Sequence, residues 1–488
     1  MKKRFFAGRK VLVMGLGRFG GGVDAVRFVA QAGAKVTVTD LASTERLCDS
    51  INQLKDLDGI EFHLGCHDPA DFEQADMIVA NPAVTPDNEF LQIARRGGRL
   101  VTSQMGIFFQ LCPAQIIGIT GANGKSTTTA LTAHILKSTN TELRTTNYEH
   151  VWLSGNIGDQ PLLTILDRIG PNDLVVLEIS SFQIEQLAQV QQASRVALLT
   201  NLTPNHLDRY GTFEAYCAAK ESIFKYQRLD VDAPAISIFN AEDEVAAKWF
   251  EKYNGQAGRV CVRFSADDVS ADVRKVFGLP GRANLSNLAA AMAVARSFGL
   301  GEDAIKACLA GFKALPHRLE LVAQIDGVRW YNDSKATTPL SSMAALDAFD
   351  CPEILIAGGH DKHLPFDRLG ERIAEKAKAA VLIGQTAAKI AEAIRSSKKY
   401  LAPQSFDRAQ DRFIAGLPNN QTHDTQYAPR TTKIEIVNSL AEAVQLAGRI
   451  AVPGDVVLLS PACASYDMFE NYQQRGREFT RLVRGGVG

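Results

Sequence analysis

Ile117-Gly-Ile-Thr-Gly-Ala-Asn-Gly-Lys-Ser-Thr-Thr-Thr129 is the stretch from which the rest of the chain can be read. A short apolar run enters it through Gln115 and Ile116, and Ala130–Leu136, a good helix former, leaves it. Strand, glycine loop and helix in that order are the setting of a phosphate-cradling loop. Gly121 and Gly124 let the backbone turn its N–H groups inward, where a Cβ would block a phosphate. Lys125 offers a point positive charge to the terminal phosphates, and Ser126 a hydroxyl for Mg²⁺. The G-x-x-x-x-G-K-[ST] spacing is missed by one residue, with Ile119 where the first glycine belongs and Gly118 before it. The expected ligand is a nucleoside triphosphate.

The chain has 488 residues, too many for one core, and about 150 residues per domain suggests about three domains. Its 46% hydrophobic and 22% charged content is that of an ordinary globular protein, and its net charge of −1 argues against nucleic acid or an anionic membrane as the main partner. The eight cysteines are scattered with no Cys-x-x-Cys pair, which argues against a zinc ribbon or a disulfide framework and for a reducing compartment. Val11–Met14 after the basic Met1–Lys10 is too short for a secretory leader, since Gly15 and Gly17 interrupt it, and no run approaches the ~18 apolar residues of a membrane span. A cytoplasmic protein, acting as a monomer, is expected.

Upstream of the phosphate loop, Lys10–Met14 reads as a strand, Gly15-Leu16-Gly17-Arg18-Phe19-Gly20 as a tight loop, Val23–Ala32 as a helix and Lys35–Thr39 as a second strand ending in Asp40. That is the dinucleotide fingerprint in order, a device that holds any diphosphate-linked nucleotide with the acid on a ribose or base. Gly20-Gly21-Gly22 adds backbone freedom and Arg18 a positive charge. Met77–Ala80 with Asn81-Pro82-Ala83 reads as a later strand and turn at the same sheet edge, Arg99–Thr102 as another strand, and Leu111-Cys112-Pro113 as a linker.

Downstream, Leu174–Glu178 reads as a buried strand ending on a carboxylate, either a Mg²⁺-holding acid or a solvated strand end. His206 and Asp208 lie beyond the strand Val196–Asn201, where α/β ligands bind, although a lone histidine is as readily structural. In the helix Thr212–Tyr226, Lys220 shares a face with Tyr216, and by periodicity it is a solvent lysine. Asn284 and Asn287, at the opening of the alanine-rich helix Ala289–Phe298, either bond a base or ribose or cap that helix.

Past a break at Leu315–Glu320, the strands Val328–Asn332, Ile354–Ala357, Val381–Gly384 and Val456–Ser460 each stop at glycine or small polar residues. One edge of a parallel sheet therefore collects Lys335, Lys362 and Ser465, which suits an anionic small molecule. Ser396–Thr432, rich in Gln, Asn, Asp and Pro, reads as a surface insertion.

Thr120-Gly-Ala-Asn-Gly-Lys-Ser126 resembles the ATP loop of the Mur ligases and their folylpolyglutamate synthetase relatives. Leu177–Glu185, Asn205–Arg209, Trp330–Thr337 and Ser460–Tyr472, with Arg475-Gly476 after it, narrow the resemblance to the D-glutamate-adding branch of that family. The resemblance implies an α/β chain of three domains, with 1–113 a Rossmann-like domain binding UDP-N-acetylmuramoyl-L-alanine, 114–315 a central P-loop ATPase-type domain, and 316–488 a Rossmann-like parallel-sheet domain for the amino acid. It implies an ATP-dependent amide ligase of peptidoglycan synthesis, in which the L-alanine carboxylate becomes an acyl phosphate and the amine of D-glutamate displaces phosphate.

Residue by residue, the resemblance implies ATP contacts from Gly121, Asn123, Gly124, Lys125, Ser126, Thr127, Asn287, Arg318 and Asp333. It implies two Mg²⁺ sites served by Ser126, Glu178, His206 and Lys220, the last carbamylated by CO₂, and a catalytic set of Lys125, Glu178, His206 and Lys220. The UDP substrate would meet Gly15, Leu16, Gly17, Arg18, Asp40 and Asn156, and D-glutamate would meet Lys335, Thr337, Lys362, Ser465 and Tyr472. Three features depart from the family: Gly20–Gly22 in place of a Ser-Gly or Thr-Gly ending, Tyr472 in place of a common Phe, and a long Lys137–Val151 segment. The competing readings are a related ligase for another amino acid or a folate substrate, and a nicotinamide-dependent oxidoreductase. The fingerprint Gly15–Asp40 argues against the folate branch, and the phosphate loop with Glu178 and His206 against the oxidoreductase.

Overall fold

Val11–Met14, Leu174–Leu177 and Val456–Leu459 are apolar at every position, and every one of these residues is buried. A strand without a polar face needs cover on both sides, the condition of a parallel sheet between helices. The computed structural model, which describes residues 5–18, 20–139, 148–157, 161–400 and 432–486, contains three sheets, two of them wholly parallel and the third parallel but for one edge strand.

In the first, five-stranded sheet, β1 (Lys10–Met14), β2 (Lys35–Asp40), β3 (Ile60–Leu64), β4 (Met77–Ala80) and β5 (Leu100–Thr102) run parallel in the order β3-β2-β1-β4-β5. The second, six-stranded, takes β6 (Gln115–Thr120), β7 (Val151–Gly155), β8 (Leu174–Glu178), β9 (Val196–Leu199), β10 (Ala235–Asn240) and β11 (Arg259–Phe264) in the order β11-β10-β9-β6-β8-β7, also parallel. Strand order reverses beside β1 and beside β6, and the crevice beyond the C-terminal strand ends at such a point is where α/β sheets bind ligands.

The third sheet comprises β12 (Glu320–Ile325), β13 (Val328–Asn332), β14 (Glu353–Gly358), β15 (Ala377–Ile383), β16 (Lys433–Ile436) and β17 (Val456–Leu459) in the order β12-β13-β17-β14-β15-β16. By contact the chain divides into Met1–Phe277 with Ser286–Phe312, which holds the first two sheets, and Gly278–Leu285 with Lys313–Gly488, which holds the third.

Three expectations need correction. The third sheet is not wholly parallel, because β12 pairs antiparallel with β13. Asp326 and Gly327, both at positive φ, form the two-residue turn that joins them. Thr432, assigned to the insertion, is instead buried with its hydroxyl donating to the Ala377 carbonyl at 2.8 Å, and β16 follows at once. Residues 401–431 of that expected insertion, and 140–147 of the Lys137–Val151 segment, lie outside the described residues. The alanine-rich helix begins at Arg282 and not at Ala289, so Asn284 and Asn287 lie within it.

Glu353 opens β14 fully buried, and neither carboxylate oxygen has a hydrogen-bond partner among the described residues. Burial pushes its pKa from 4.5 up to about 9, against a smaller downward pull from Lys376. Folding therefore takes up a proton on Glu353 between those two values, so the stability tied to it is whole below about 4.5 and is lost as the pH rises towards about 9. The loss at pH 7 is roughly 3 kcal/mol. Glu353→Gln, neutral throughout, is expected to unfold much like the wild type at pH 5 and at progressively higher temperature than the wild type towards pH 9. Parallel midpoint-against-pH curves for the two proteins would count against a neutral, buried Glu353.

Candidate active site

The phosphate loop is shaped by β9 as much as by its own glycines. Gly121 has φ +148 and a Cβ there would stand 1.9 Å from the Thr200 hydroxyl, while Gly124 has φ +80 and its Cβ would stand 2.1 Å from Asn287 Oδ1. Neither position accepts another residue without displacing its neighbour. The Ala122 N–H donates to the Asn201 carbonyl at 2.8 Å and the Asn123 N–H to Asn201 Oδ1 at 2.9 Å. Thr200 Oγ1 and Asn201 Nδ2 both donate to the Asn123 carbonyl, at 2.6 and 3.0 Å. The helix Lys125–Ser138 then starts without a side-chain cap, so its first N–H groups face the loop. Lys125 Nζ donates to the Ala122 carbonyl at 2.9 Å, and Ser126 and Thr127 are buried.

Glu178 ends β8 opposite Ile119 of β6 and Gly155 of β7. A Cβ on Gly155 would lie 2.4 Å from the Glu178 carbonyl, and the next residue, Asn156, donates its N–H to that carbonyl at 3.2 Å. Asn156 and Glu178 thus share one strand end. Glu178 is 6% exposed, and its Oε2 is buried without a hydrogen-bond partner among the described residues. A carboxylate oxygen left so is suited to a cation.

Lys220 overturns its solvent reading, since it is 1% exposed. Nζ donates to Thr120 Oγ1 at 3.0 Å, whose own proton goes to the Ile179 carbonyl at 2.8 Å, and the ammonium position is 5.1 Å from the Tyr216 ring centroid. Burial first, and then the charge of Lys125, drive its pKa well below that of an ordinary lysine, with Glu178 pulling the other way. The amine is therefore held towards its neutral form. His206, at φ 53, packs on Phe182 and Tyr216 with ring centroids 4.9 and 6.4 Å away. Its pKa falls because its ring is partly buried, and Lys220, Lys125 and Arg209 lower it further against Asp208. The structure thus brings Lys125, Glu178, His206 and Lys220 together at the ends of β6, β8 and β9, with Asn287 beside the loop through Thr128 Oγ1 at 3.2 Å.

In the first sheet the Gly17 N–H donates to Asp40 Oδ2 at 3.0 Å and the Ala42 N–H to Asp40 Oδ1 at 2.8 Å, so Asp40 shapes the glycine loop. Leu16 is buried and Arg18 exposed. Gly22 is required for close packing, because its Cβ would meet the Leu16 carbonyl at 2.2 Å. Asn81, outside the expected set, donates through Nδ2 to the Gly15 carbonyl at 3.2 Å.

In the second unit, Asp333 is buried, accepting from the Leu319 N–H at 3.2 Å and from Ser460 Oγ at 2.9 Å. Burial pushes its pKa up to about 7, against those bonds and Arg318. Lys335 Nζ lies 5.6 Å from the Tyr472 ring centroid, Thr337 is half-buried, Ser465 is buried and Lys362 is exposed in the loop after β14. Arg475 is the residue sequence reasoning quoted without giving it a role. Fully buried, it donates to Ser334 Oγ at 3.0 Å, to the Ser334 and Cys463 carbonyls at 2.8 and 3.1 Å, and to the Ala464 carbonyl at 3.3 Å. It joins the loop carrying Lys335 to the loop carrying Ser465. The signal was a lone arginine beside a glycine, which spacing cannot assign.

Three family models cover most of the chain: the Mur ligase MurD-like N-terminal domain over 9–103, the Mur ligase middle domain over 119–295, and the Mur ligase glutamate ligase domain over 317–463. The chain is 39% identical to UDP-N-acetylmuramoylalanine–D-glutamate ligase of Roseiflexus sp. (strain RS-1), covering 98% of each, and 35% identical to that of Clostridium tetani, covering 99% of this chain and 98% of the other. Among solved structures, UDP-N-acetylmuramate-alanine ligase MurC from Thermotoga maritima aligns with a TM-score of 0.53 at 17% identity, over 98% of this chain and 99% of that one. MurF ligase from the same organism, in complex with ADP, aligns with a TM-score of 0.53 at 16% identity, over 99% and 96%. These two likenesses concern the fold.

Proposed function

Because the chain belongs to the Mur ligase family, we propose that it is the ATP-dependent ligase that joins D-glutamate to the L-alanine carboxylate of UDP-N-acetylmuramoyl-L-alanine. The observation that carries the reading is the convergence of Lys125, Glu178, His206 and the buried Lys220 beyond one sheet edge. We assign the UDP substrate to 1–113, ATP to 114–315 and the amino acid to 316–488.

A carboxylate is a poor electrophile, and transfer of the γ-phosphoryl group gives it a leaving group. The carboxylate oxygen forms a bond to phosphorus as the bond to ADP breaks. The free amine of D-glutamate then attacks the acyl carbon, phosphate leaves with the C–O electron pair, and the amine's proton passes to solvent. Lys125 and the N–H groups at the start of its helix hold the terminal phosphates. Asn156, beside Glu178, holds the reacting carboxylate. Lys335 and Ser465, on the loops that Arg475 ties together, hold the carboxylates of D-glutamate, with Thr337, Lys362 and Tyr472 around them.

The buried Glu178 Oε2, without a hydrogen-bond partner among the described residues, and His206, whose pKa burial lowers, fit a divalent cation. Ser126, Glu178, His206 and Lys220 would hold Mg²⁺, which when bound offsets the repulsion between the carboxylate and the phosphates. A neutral Lys220 amine can add to CO₂, forming a C–N bond and releasing one proton, so that an uncharged buried amine becomes a metal-binding anion. Among the described residues no helix is long and apolar enough to cross a membrane, which is compatible with work in the cytoplasm.

Phosphate release from ATP in the presence of UDP-N-acetylmuramoyl-L-alanine tests the reading. Release is expected to require D-glutamate and to fall to background with L-glutamate, a diamino acid or no amino acid. Release that needs no amino acid, or that a diamino acid or a folate supports best, would overturn it.

A further inference from the structure

Arg209 closes the stretch Asn205–Arg209, yet no step above uses it. Its guanidinium donates to the Pro82 and Ala83 carbonyls at 3.0 and 3.1 Å and to the Val84 carbonyl at 3.3 Å, and pairs with Glu185 at 2.5 Å. Its plane lies over the Phe182 ring, 4.2 Å from the centroid, and His206 packs on that same ring. Pro82–Val84 follow Asn81, which grips the Gly15 carbonyl, and the Val84 N–H returns to the Asn81 carbonyl at 3.0 Å. One side chain, 10% exposed, thus ties the Pro82–Val84 segment, and through Asn81 the glycine loop of the first sheet, to the His206 loop and the helix Ser181–Gln189 of the second.

We propose that Arg209 is a positioning residue that sets the reach between the diphosphate cradle and the phosphoryl-transfer centre, and thereby selects the length of the acceptor. The inference rests on the function proposed above. A UDP-linked acceptor is held at one end by the Gly15–Gly20 loop and must present its carboxylate at the other, near Asn156 and Glu178. With the joint held by several hydrogen bonds and an ion pair, only an acceptor of matching length brings its carboxylate into line with the γ-phosphate. Lysine cannot reproduce the tie, because one ammonium cannot meet three carbonyls and a carboxylate from a planar fork.

The test compares UDP-N-acetylmuramoyl-L-alanine with its β-alanine isomer, whose carboxylate stands one methylene further out, on wild type, Arg209→Met and the milder Glu185→Gln. Arg209→Met is expected to lower kcat on the L-alanine acceptor by roughly tenfold to a hundredfold, the scale of a small misplacement. Its KM for that acceptor is expected to change little, since the diphosphate contacts remain. The preference for L-alanine over β-alanine is expected to shrink in Arg209→Met, and to shrink less in Glu185→Gln, which still reads the effect if the first variant does not fold. An unchanged preference in the variants, with only the unfolding midpoint lowered, overturns the inference and leaves Arg209 a structural tie. Wild-type enzyme that fails to join D-glutamate to the L-alanine acceptor overturns the functional reading itself, and this inference with it.

Discussion

Lys220→Ala is expected to lower kcat roughly a thousandfold, about 4 kcal/mol of transition-state stabilisation. Bicarbonate or chloride is expected to restore part of the rate by placing an anion where the side chain had been. The size of the effect follows from where the lysine sits. It is almost fully buried, its ammonium position donates to an uncharged hydroxyl, that of Thr120, and Lys125 lies close enough to disfavour a second positive charge. An ammonium there would be poorly compensated, whereas a neutral amine that had taken up CO₂ would supply negative charge beside Glu178 and His206. The same chemistry predicts that wild-type enzyme loses rate in CO₂-free buffer and regains it when bicarbonate is added. Full activity in Lys220→Ala, measured as phosphate release at saturating substrates, would make the lysine a structural residue only.

Lys125→Met is the second large effect, with kcat/KM for ATP falling roughly a thousandfold, as expected where a point charge on the terminal phosphates is removed. Lys125 now donates to the Ala122 carbonyl of its own loop, so its ammonium already lies over the cradle that Gly121 and Gly124 open. Lys125→Arg is expected to rescue little, because the bulkier planar guanidinium does not fit a loop pinned on its far side by Thr200 and Asn201. Loss of unfolding cooperativity in Lys125→Met would assign the defect to the loop's structure. An unchanged kcat/KM for ATP with intact folding would remove Lys125 from phosphate binding.

Several elements were legible because they depend on a few local residues. The strand Lys10–Met14, the glycine loop after it and Asp40 specify a tight turn, and the structure shows Asp40 taking the Gly17 N–H. Gly124-Lys125-Ser126 at a strand–helix junction is readable in the same way. The antiparallel β12 was missed, although Asp326-Gly327 is a residue pair that favours the two-residue hairpin turn found there.

What the sequence by itself determined was the alternation of strand and helix, the loops able to hold phosphate, and, through long motifs, the family. These depend on backbone geometry and on residues near one another along the chain. Only the tertiary structure decided what long-range packing controls. Lys220 reads as a surface residue on its helix and is buried because β6 and Thr120 cover it. Arg475 and Arg209 gain their roles from carbonyls far away in sequence, and Glu353 is a strand-start acid until the sheet closes around it. Side-chain periodicity locates the face of a helix or strand, but the dielectric and the partners on that face are set by whichever element packs there, and these decide whether a charged group is neutral, paired or poised to react.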